Sequence, residues 1–130
     1  MYVAETRQVR ITATPSYLGE RSDPAKNQYF WAYQIMIENI GEIAVQLLSR
    51  HWQITDSAGH TIEVKGEGVV GQTPTLKPGQ SFEYTSGTPL GASSGIMVGT
   101  YRMRDEAGEE FDAAVPAFSL DGPQAPGRVN

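Results

Sequence analysis

Apolar and polar side chains alternate with a period of two along most of the chain. In the segment 29–38 every odd position is aromatic or β-branched, whereas the even positions include the polar Gln34 and Glu38. Successive side chains of a strand point to opposite faces, so this pattern predicts a strand with one buried face. The same reasoning predicts seven short strands, at about 9–13, 29–38, 43–55, 61–65, 81–85, 96–103 and 110–115.

Turn residues separate these strands. Asp56-Ser57-Ala58-Gly59 and Asp105-Glu106-Ala107-Gly108 each predict a hairpin, because Asp and Gly favour the backbone of tight turns. Two prolines exclude a central strand from 72–79, and the segment 87–95 is expected to be a loop. No ten-residue segment shows the i, i+3, i+4 spacing of an amphipathic helix. The chain is therefore predicted to be all-β, an immunoglobulin-like or fibronectin type III-like β-sandwich of about seven antiparallel strands.

A chain of 130 residues is expected to form a single domain, which we place at 1–120. The segment 121–130 holds two prolines, two glycines and no apolar run, so it is expected to be a disordered tail. Large apolar residues at inward-pointing strand positions are predicted to form the core. They are Trp31, Tyr33, Ile35, Ile37, Trp52, Ile54, Phe82, Tyr84, Tyr101 and Phe111.

Charge and composition narrow the classes of function. The chain has 15 acidic and 10 basic residues, a formal net charge of −5 and no cysteine. An acidic surface repels phosphate backbones and anionic lipids, so nucleic acid and membranes are not expected partners. Disulfides, iron–sulfur clusters and cysteine zinc sites are excluded. The segment 1–14 carries charges and no unbroken apolar run, so we expect no signal peptide and a cytoplasmic location.

The run Gly66-Glu67-Gly68-Val69-Val70-Gly71 matches the dinucleotide-binding pattern G-x-G-x-x-G. That motif needs a helix directly after the glycines, because the helix N-terminus holds the pyrophosphate. Pro74 and Pro78 prevent such a helix, so the favoured interpretation is a strand that ends in a glycine-rich bulge. The alternative is that a bent glycine backbone points N–H groups at a small anion. The candidate anion- or partner-binding residues of this loop are Gly66, Glu67, Gly68 and Gly71.

The two histidines do not predict a shared metal site. A turn centred near residue 58 places His60 opposite Asp56 and His51 opposite Lys65. The histidines are then about five strand positions apart, or roughly 16 Å, whereas a zinc–nitrogen bond is about 2 Å long. We therefore expect each histidine at the surface of a strand, and no metal site.

Five acidic residues crowd the last hairpin. A solvated, charged turn is the favoured interpretation, because their spacing matches no calcium-binding loop. A weak contact with a divalent cation is the alternative, since hard cations prefer oxygen ligands. The five residues are Asp105, Glu106, Glu109, Glu110 and Asp112.

The segment Arg50-His51-Trp52 is the densest group of side chains with binding chemistry. Trp52 is expected in the core, and Arg50 shares its parity, so it should also lean inward unless a bulge intervenes. A buried arginine needs a partner, either a carboxylate or backbone carbonyls. Packing is the favoured role of this group, and Arg50 and His51 are a candidate interface with another protein.

No pattern in the sequence predicts catalysis. The chain lacks a G-x-S-x-G nucleophile elbow, has no cysteine, and has only two histidines to act as a base. Paired carboxylates occur only in the acidic hairpin. We therefore predict a protein that is not an enzyme and needs no cofactor.

Several segments in order along the chain resemble the ApaG family. They are 45–56 (VQLLSRHWQITD), 64–71 (VKGEGVVG), Pro78-Gly79, 84–87 (YTSG) and 115–120 (VPAFSL). The resemblance implies a fibronectin type III-like sandwich. Bacterial members are small cytoplasmic proteins linked to Co²⁺ and Mg²⁺ efflux or resistance, with no defined activity. Related eukaryotic domains, in F-box proteins and a DNA-polymerase-associated protein, look like protein-interaction modules.

Two functions from different classes follow. The first is a non-catalytic protein-interaction module that is indirectly associated with Co²⁺ and Mg²⁺ homeostasis and binds an unidentified protein. The second is a protein that binds a small anion, pyrophosphate or a nucleotide through the loop 66–71. The acidic charge and the absence of a helix after the glycines favour the first.

Overall fold

The structure is a computed structural model that describes residues 1–121. Nine strands account for most of this range, and two short 3₁₀ turns, Gly19–Arg21 and Pro24–Lys26, connect the second strand with the third. The strands are β1 Tyr2–Thr6, β2 Val9–Tyr17, β3 Tyr29–Asn39, β4 Val45–Asp56, β5 Thr61–Glu67, β6 Thr75–Leu76, β7 Ser81–Leu90, β8 Ser94–Asp105 and β9 Glu110–Asp121.

The strands form two antiparallel sheets that pack face to face. One sheet has the order β1-β2-β3-β7, and the other has the order β5-β4-β8-β9 with the two-residue β6 beside β4. Apolar side chains from both inner faces fill the space between the sheets. The prediction of an all-β sandwich is confirmed. In the described residues, no helix is long and apolar enough to cross a membrane.

The structure corrects the predicted strands at several points. All seven are present, but the sandwich also contains β1 and β6. The segment 87–95 was predicted as a loop, yet residues 87–90 continue β7 and residues 94–95 begin β8. Proline is tolerated there because β7 is an edge strand, bonded to β3 on one side only. The predicted disordered tail lies outside the described residues, apart from Asp121, which ends β9.

The predicted core is confirmed for nine of its ten residues. Phe82 is the exception, because it is only half-buried and packs against the rim of the core. Its strand β7 is the edge of its sheet, so the opposite sheet covers its inner face less completely than that of β3. Trp52 lies at the centre, with its ring 5.5 Å from that of Tyr33 and 5.9 Å from that of Tyr101.

The two long sides of the sandwich differ. On one side, which we call the closed side, β1 and β2 pack against β9. The ring of Tyr2 lies 6.0 Å from that of Phe118, and the N–H of Ala114 donates to Thr6 Oγ1 at 3.2 Å. On the other side, the open side, a cleft separates residues of β4 and β5 from residues of β7. The closed side therefore seals the core, whereas the open side leaves an entrance.

A strained turn fixes one end of the closed side. Arg7 and Gln8 join β1 to β2 with φ values of 46° and 66°. Such left-handed positions normally favour glycine or asparagine, since other side chains crowd the backbone there. The Arg7 guanidinium lies 3.6 Å from a carboxylate oxygen of Asp105, 3.3 Å from Glu109 and 4.6 Å from the ring centre of Phe111. These contacts hold the turn against the last hairpin.

Candidate functional site

The glycine loop closes on itself. The N–H of Val69 donates to the carbonyl of Gln72 and the N–H of Gln72 donates to that of Val69, both at 2.8 Å. The N–H of Gly68 donates to the carbonyl of Leu48 at 2.9 Å. After the loop the chain enters the short strand β6 rather than a helix. Two N–H groups of the loop 66–71, those of Gly68 and Val69, are thus already bonded inside the protein and do not face an anion.

The loop instead presents carbonyl oxygens to Arg50. Nη1 of Arg50 donates to the carbonyl of Glu67 at 3.1 Å and to that of Gly68 at 2.8 Å. The sequence left open whether a carboxylate or carbonyls would serve Arg50, and the structure shows carbonyls. Within residues 1–121, no carboxylate oxygen lies within 4.0 Å of this guanidinium. Gly66 lies against the guanidinium, so a Cβ there would come within 2.9 Å of it.

Arg50 reaches into the open-side cleft, which has a volume of about 250 Å³. Trp52 of β4 and Tyr33 of β3 also line the cleft. Ser86 and Thr88 of β7 contribute hydroxyl groups from the opposite edge. The cleft therefore combines one cation, several hydroxyls and aromatic surface. Sequence analysis missed it, because its residues lie in three separate parts of the chain.

Two buried tyrosines connect the sheets next to this cleft. The hydroxyls of Tyr84 in β7 and Tyr101 in β8 form a hydrogen bond across the core. Burial raises the pKa of Tyr84 to about 12, and burial raises the pKa of Tyr101 further still. Both phenols are therefore neutral hydrogen-bonding groups near neutral pH. Tyr101 is the strand partner of Arg50, which places the tyrosine pair near the open side.

The two residues of the predicted interface point to opposite faces of β4. Arg50 faces the cleft, whereas His51 lies on the outer face, with Nε2 at 3.1 Å from Oε2 of Glu63. The neighbouring His51 side chain lowers the pKa of the Glu63 carboxyl. Strand alternation accounts for the split, because neighbouring side chains must leave a strand on opposite sides. Arg50 and His51 therefore cannot form one continuous contact surface.

The predicted register of the first hairpin is confirmed. His51 pairs with Lys65, and the N–H of Asp56 donates to the carbonyl of His60. N–H groups of His60 and Ala58 donate to Oδ1 of Asp56 and lower the pKa of that carboxyl. Each histidine thus has its own carboxylate neighbour. In residues 1–121, no three histidine or carboxylate side chains are placed to share a metal ion.

The acidic hairpin is divided between two arginines. Arg7 contacts Asp105 and Glu109, and Arg102 contacts Glu110 at 3.1 Å and Asp112 at 3.3 Å. Asp105 is buried, and its Oδ1 accepts two N–H groups of the turn that follows it. The expectation of a wholly solvated turn is therefore wrong for Asp105. This carboxylate closes the turn, as Asp residues commonly do.

The outer face of the five-stranded sheet has an uncharged part that sequence analysis did not identify. Ile96 is 53% exposed and Val98 is 37% exposed, and both point outward from β8. Ile96 pairs with Thr55 and Val98 with Gln53, so their neighbours on β4 are also uncharged. We call this surface, completed by Thr100, the neutral face. The signal in the sequence was an apolar residue at each of positions 96, 97 and 98, which exceeds what one buried face requires.

Comparisons with known proteins agree on the family. A family model described as the ApaG domain matches residues 19–105. The chain is 55% identical to Protein ApaG of Paramagnetospirillum magneticum and 56% identical to Protein ApaG of Mesorhizobium japonicum. Both matches cover 130 residues and the full length of each chain.

Solved structures give the same result. The fold resembles the crystal structure of the putative ApaA protein from Bordetella pertussis, with a TM-score of 0.87, 45% identity, and coverage of 90% of this chain and 95% of the other. The C-terminal domain of wzt shares the fold at a TM-score of 0.55 and 10% identity, covering 95% of this chain and 78% of that one. Family model, full-length relatives and structure together show that the chain belongs to the ApaG family.

Proposed function

We propose that this chain is a non-catalytic protein-interaction module that presents its neutral face to another protein. The exposure of Ile96 and Val98 side by side, with uncharged strand neighbours, is the observation that carries this proposal. The centres of protein interfaces are depleted in charged residues, and exposed apolar surface on a sheet commonly marks a contact site. A partner with an apolar centre and a few hydrogen-bonding groups fits this surface.

The outer face of the other sheet provides a contrast. Arg10 of β2 lies 3.2 Å from a carboxylate oxygen of Glu5 and 4.0 Å from one of Glu38. Gln34 donates a hydrogen bond to Glu83 on the same face. Removing these charged groups from water carries a free-energy cost that the neutral face does not impose. The neutral face is accordingly the better docking surface of the two.

On this proposal the association of the family with Co²⁺ and Mg²⁺ homeostasis is indirect, because the partner protein, and not this chain, acts on the cations. On this proposal the protein acts in the cytoplasm and is not an enzyme. Divalent cations contact it only weakly, at the acidic hairpin, where Arg7 and Arg102 already neutralise much of the carboxylate charge. Calorimetric titration with Co²⁺ should give only weak, salt-sensitive heats. A stoichiometric micromolar site that depends on His51 or His60 would overturn this part of the proposal.

Affinity capture from the native cell, followed by quantitative mass spectrometry, tests the interaction. Val98→Glu places a charge at the centre of the neutral face, and Thr12→Glu places the same charge on the outer face of the other sheet. We expect one protein to be captured by the wild type and by Thr12→Glu, and at least about tenfold less by Val98→Glu. Equal capture by both variants, or repeated failure to recover any specific protein, would contradict the proposal.

The anion-binding loop 66–71 stays a prediction, and the loop geometry gives it no additional support. Titration with pyrophosphate or ATP, followed by the NMR signals of the loop amides, tests it. Saturable shifts confined to Gly66, Gly68 and Gly71 at sub-millimolar ligand would favour that function over the interaction module.

A further inference from the structure

Arg50 is the half-buried arginine of residues 1–121 that lacks a carboxylate partner. Arg7, Arg10 and Arg102 each contact two carboxylates, and Arg21 and Arg104, which like Arg50 have none within 4.0 Å, are exposed. Its Nη1 is fixed by the carbonyls of Glu67 and Gly68, and no acceptor in the described residues bonds its Nε or Nη2. The protein has five more acidic than basic residues, so a half-buried cation without a carboxylate is conspicuous.

This arrangement leaves the two-donor edge of the guanidinium available. Nε and Nη2 form the planar fork that binds a carboxylate through two parallel hydrogen bonds. Because Nη1 is already held by two carbonyls, the side chain has lost much of its freedom before any ligand arrives. A ligand therefore gains the interaction without ordering a mobile arginine, which favours affinity.

Hydroxyl groups stand across the cleft from Arg50. Ser86 and Thr88 occupy inward-pointing positions of β7, whose other inward positions hold Phe82, Tyr84 and Leu90. Thr88 makes only a local bond, to the carbonyl of Pro89 at 3.1 Å, and no bond of the Ser86 hydroxyl is formed within residues 1–121. Two hydroxyls therefore interrupt an otherwise apolar strand face where that face borders the cleft.

The remaining wall of the cleft is apolar. Trp52 and Ile54 come from β4, and Ile62 and Val64 come from β5. Ile62 is 47% exposed although it points inward, because the open side leaves it without a covering strand. A volume of about 250 Å³ lies just below the range of roughly 300–1,000 Å³ that drug-sized ligands occupy. The space suits a body of about one ring.

We propose that the open-side cleft binds a monocarboxylate with an apolar or aromatic body. The carboxylate bonds the Nε–Nη2 edge of Arg50, the hydroxyls of Ser86 and Thr88 complete its hydrogen bonds, and the body packs on Ile62 and Val64. One guanidinium, with no lysine in the lining, matches a single negative charge. The net charge of −5 further disfavours polyphosphates. This site is separate from the neutral face, so it does not depend on the proposed interaction.

The experiment is an NMR titration of the full chain with phenylacetate, monitored at backbone amides and the Trp52 indole N–H. Phenylacetamide, which has the same ring and no charge, is the control ligand. We expect saturable shifts at residues 86–89 and Trp52 with a dissociation constant of about 1 mM or lower, and at least about tenfold weaker binding of the amide. Two further ligands, N-acetyl-glycyl-phenylalanine and its C-terminal amide, show whether a peptide carboxylate can also be the source of the anion.

Two variants connect any binding to the cleft. Ile62→Glu places a negative charge on the exposed apolar wall where the body of the ligand packs, so it opposes binding of an anion, and it avoids removing an arginine that also holds the loop. Thr61→Glu adds the same charge on the outward face of the same strand. We expect Ile62→Glu to weaken phenylacetate binding at least about tenfold and Thr61→Glu to leave it within about twofold.

Three results would overturn the proposal. The first is the absence of shifts up to roughly 10 mM phenylacetate, far above the expected dissociation constant. The second is equal binding of phenylacetate and phenylacetamide, or unchanged binding in Ile62→Glu. The third is a set of shifts confined to the loop 66–71, which would assign the anion to the glycine backbone instead. None of these results bears on capture of a protein partner by the neutral face.

Discussion

The closed and open sides of the sandwich are built from the same kind of strand but from different side chains. On the closed side the rings of Tyr2 and Phe118 meet, and Thr6 and Ala114 join the two sheets by a hydrogen bond. On the open side the strand edges face each other across a cleft that contains Arg50 and two hydroxyls. The difference shows that one side is built mainly for stability and that the other is free to carry a binding site.

Substitution of a matched pair of isoleucines gives the largest expected contrast. Ile11 of β2 is fully buried on the closed side, whereas Ile62 of β5 is about half exposed on the open side. Ile11→Ala should lower the free energy of unfolding by about 2–5 kcal/mol, because it removes buried apolar surface and leaves a cavity. Ile62→Ala should lower it by less than about 1 kcal/mol. Urea denaturation measures both, and equal losses would remove the distinction between the two sides.

Two glycines of the loop sharpen the comparison within the open side. Gly68 and Gly71 have φ values of 62° and 80°, so alanine at either position is strained by about 1–2 kcal/mol. A Cβ at Gly68 would also lie 2.3 Å from the carbonyl oxygen of Gln72, whereas none of the protein lies within 4 Å of a Cβ at Gly71. Gly68→Ala should therefore cost about 2–4 kcal/mol and Gly71→Ala only about 1–2 kcal/mol. Equal melting temperatures would show that the loop relaxes around the added methyl.

Alkaline pH should lower the free energy of unfolding through the two buried tyrosines next to the cleft. The pKa of Tyr84 is about 12 in the folded protein and 10.0 in the unfolded chain, so the unfolded chain releases this proton first. Its contribution is complete below pH 10 and is lost as the pH rises from 10 to 12, by about 1.4 kcal/mol at pH 11. Burial of Tyr101 acts in the same direction. The urea midpoint between pH 9 and pH 11 checks this, and Tyr84→Phe should reduce the decline.

Two arginines with similar exposure test whether Arg7 anchors the turn between β1 and β2 to the last hairpin. The side chains of Arg7 and Arg102 are 44% and 45% exposed, and each contacts two carboxylates. Only Arg7 contacts a buried carboxylate, Asp105, and an aromatic ring, Phe111. Arg7→Gln should lower stability by about 1 kcal/mol, whereas Arg102→Gln should lower it by less than about 0.5 kcal/mol, because water screens exposed ion pairs. A larger effect of Arg102→Gln in thermal unfolding would place the anchor elsewhere.

The local sequence pattern was sufficient to predict the strands in which apolar and polar residues alternate and whose turns contain glycine. The hairpin of β4 and β5 is the clearest case, since the turn near Gly59 fixed the pairing of His51 with Lys65. Strand β1 was not predicted, because its turn places Arg7 and Gln8 at positive φ and contains no glycine. Contacts of Arg7 with the last hairpin stabilise this turn in place of a glycine, and the residues of that hairpin are distant from the turn in sequence.

The candidate sites were predictable only in part. The alternation of side chains along β4 correctly placed Trp52 in the core and Arg50 on the same face of the strand. It could not choose between a carboxylate and carbonyls as the partner of Arg50, because that choice depends on how the loop after β5 folds back. The sequence did not identify Ser86 and Thr88 as cleft residues. Residues 87–90 resemble a loop, and only their pairing with β3 shows that they belong to a strand. A site assembled from four strands can be recognised only once the tertiary fold is known.

The exposed strand edges of the open side also bear on self-association. A free edge offers unpaired N–H and carbonyl groups on which a strand of another molecule can grow, the first step towards filaments. Pro89 has no N–H to donate on β7, and Glu63 and Lys65 place alternating charges along β5. Proline and charge both discourage the addition of a strand to an edge. Residues of the two strand edges that border the cleft therefore protect the sandwich from edge-to-edge aggregation while leaving the entrance uncovered.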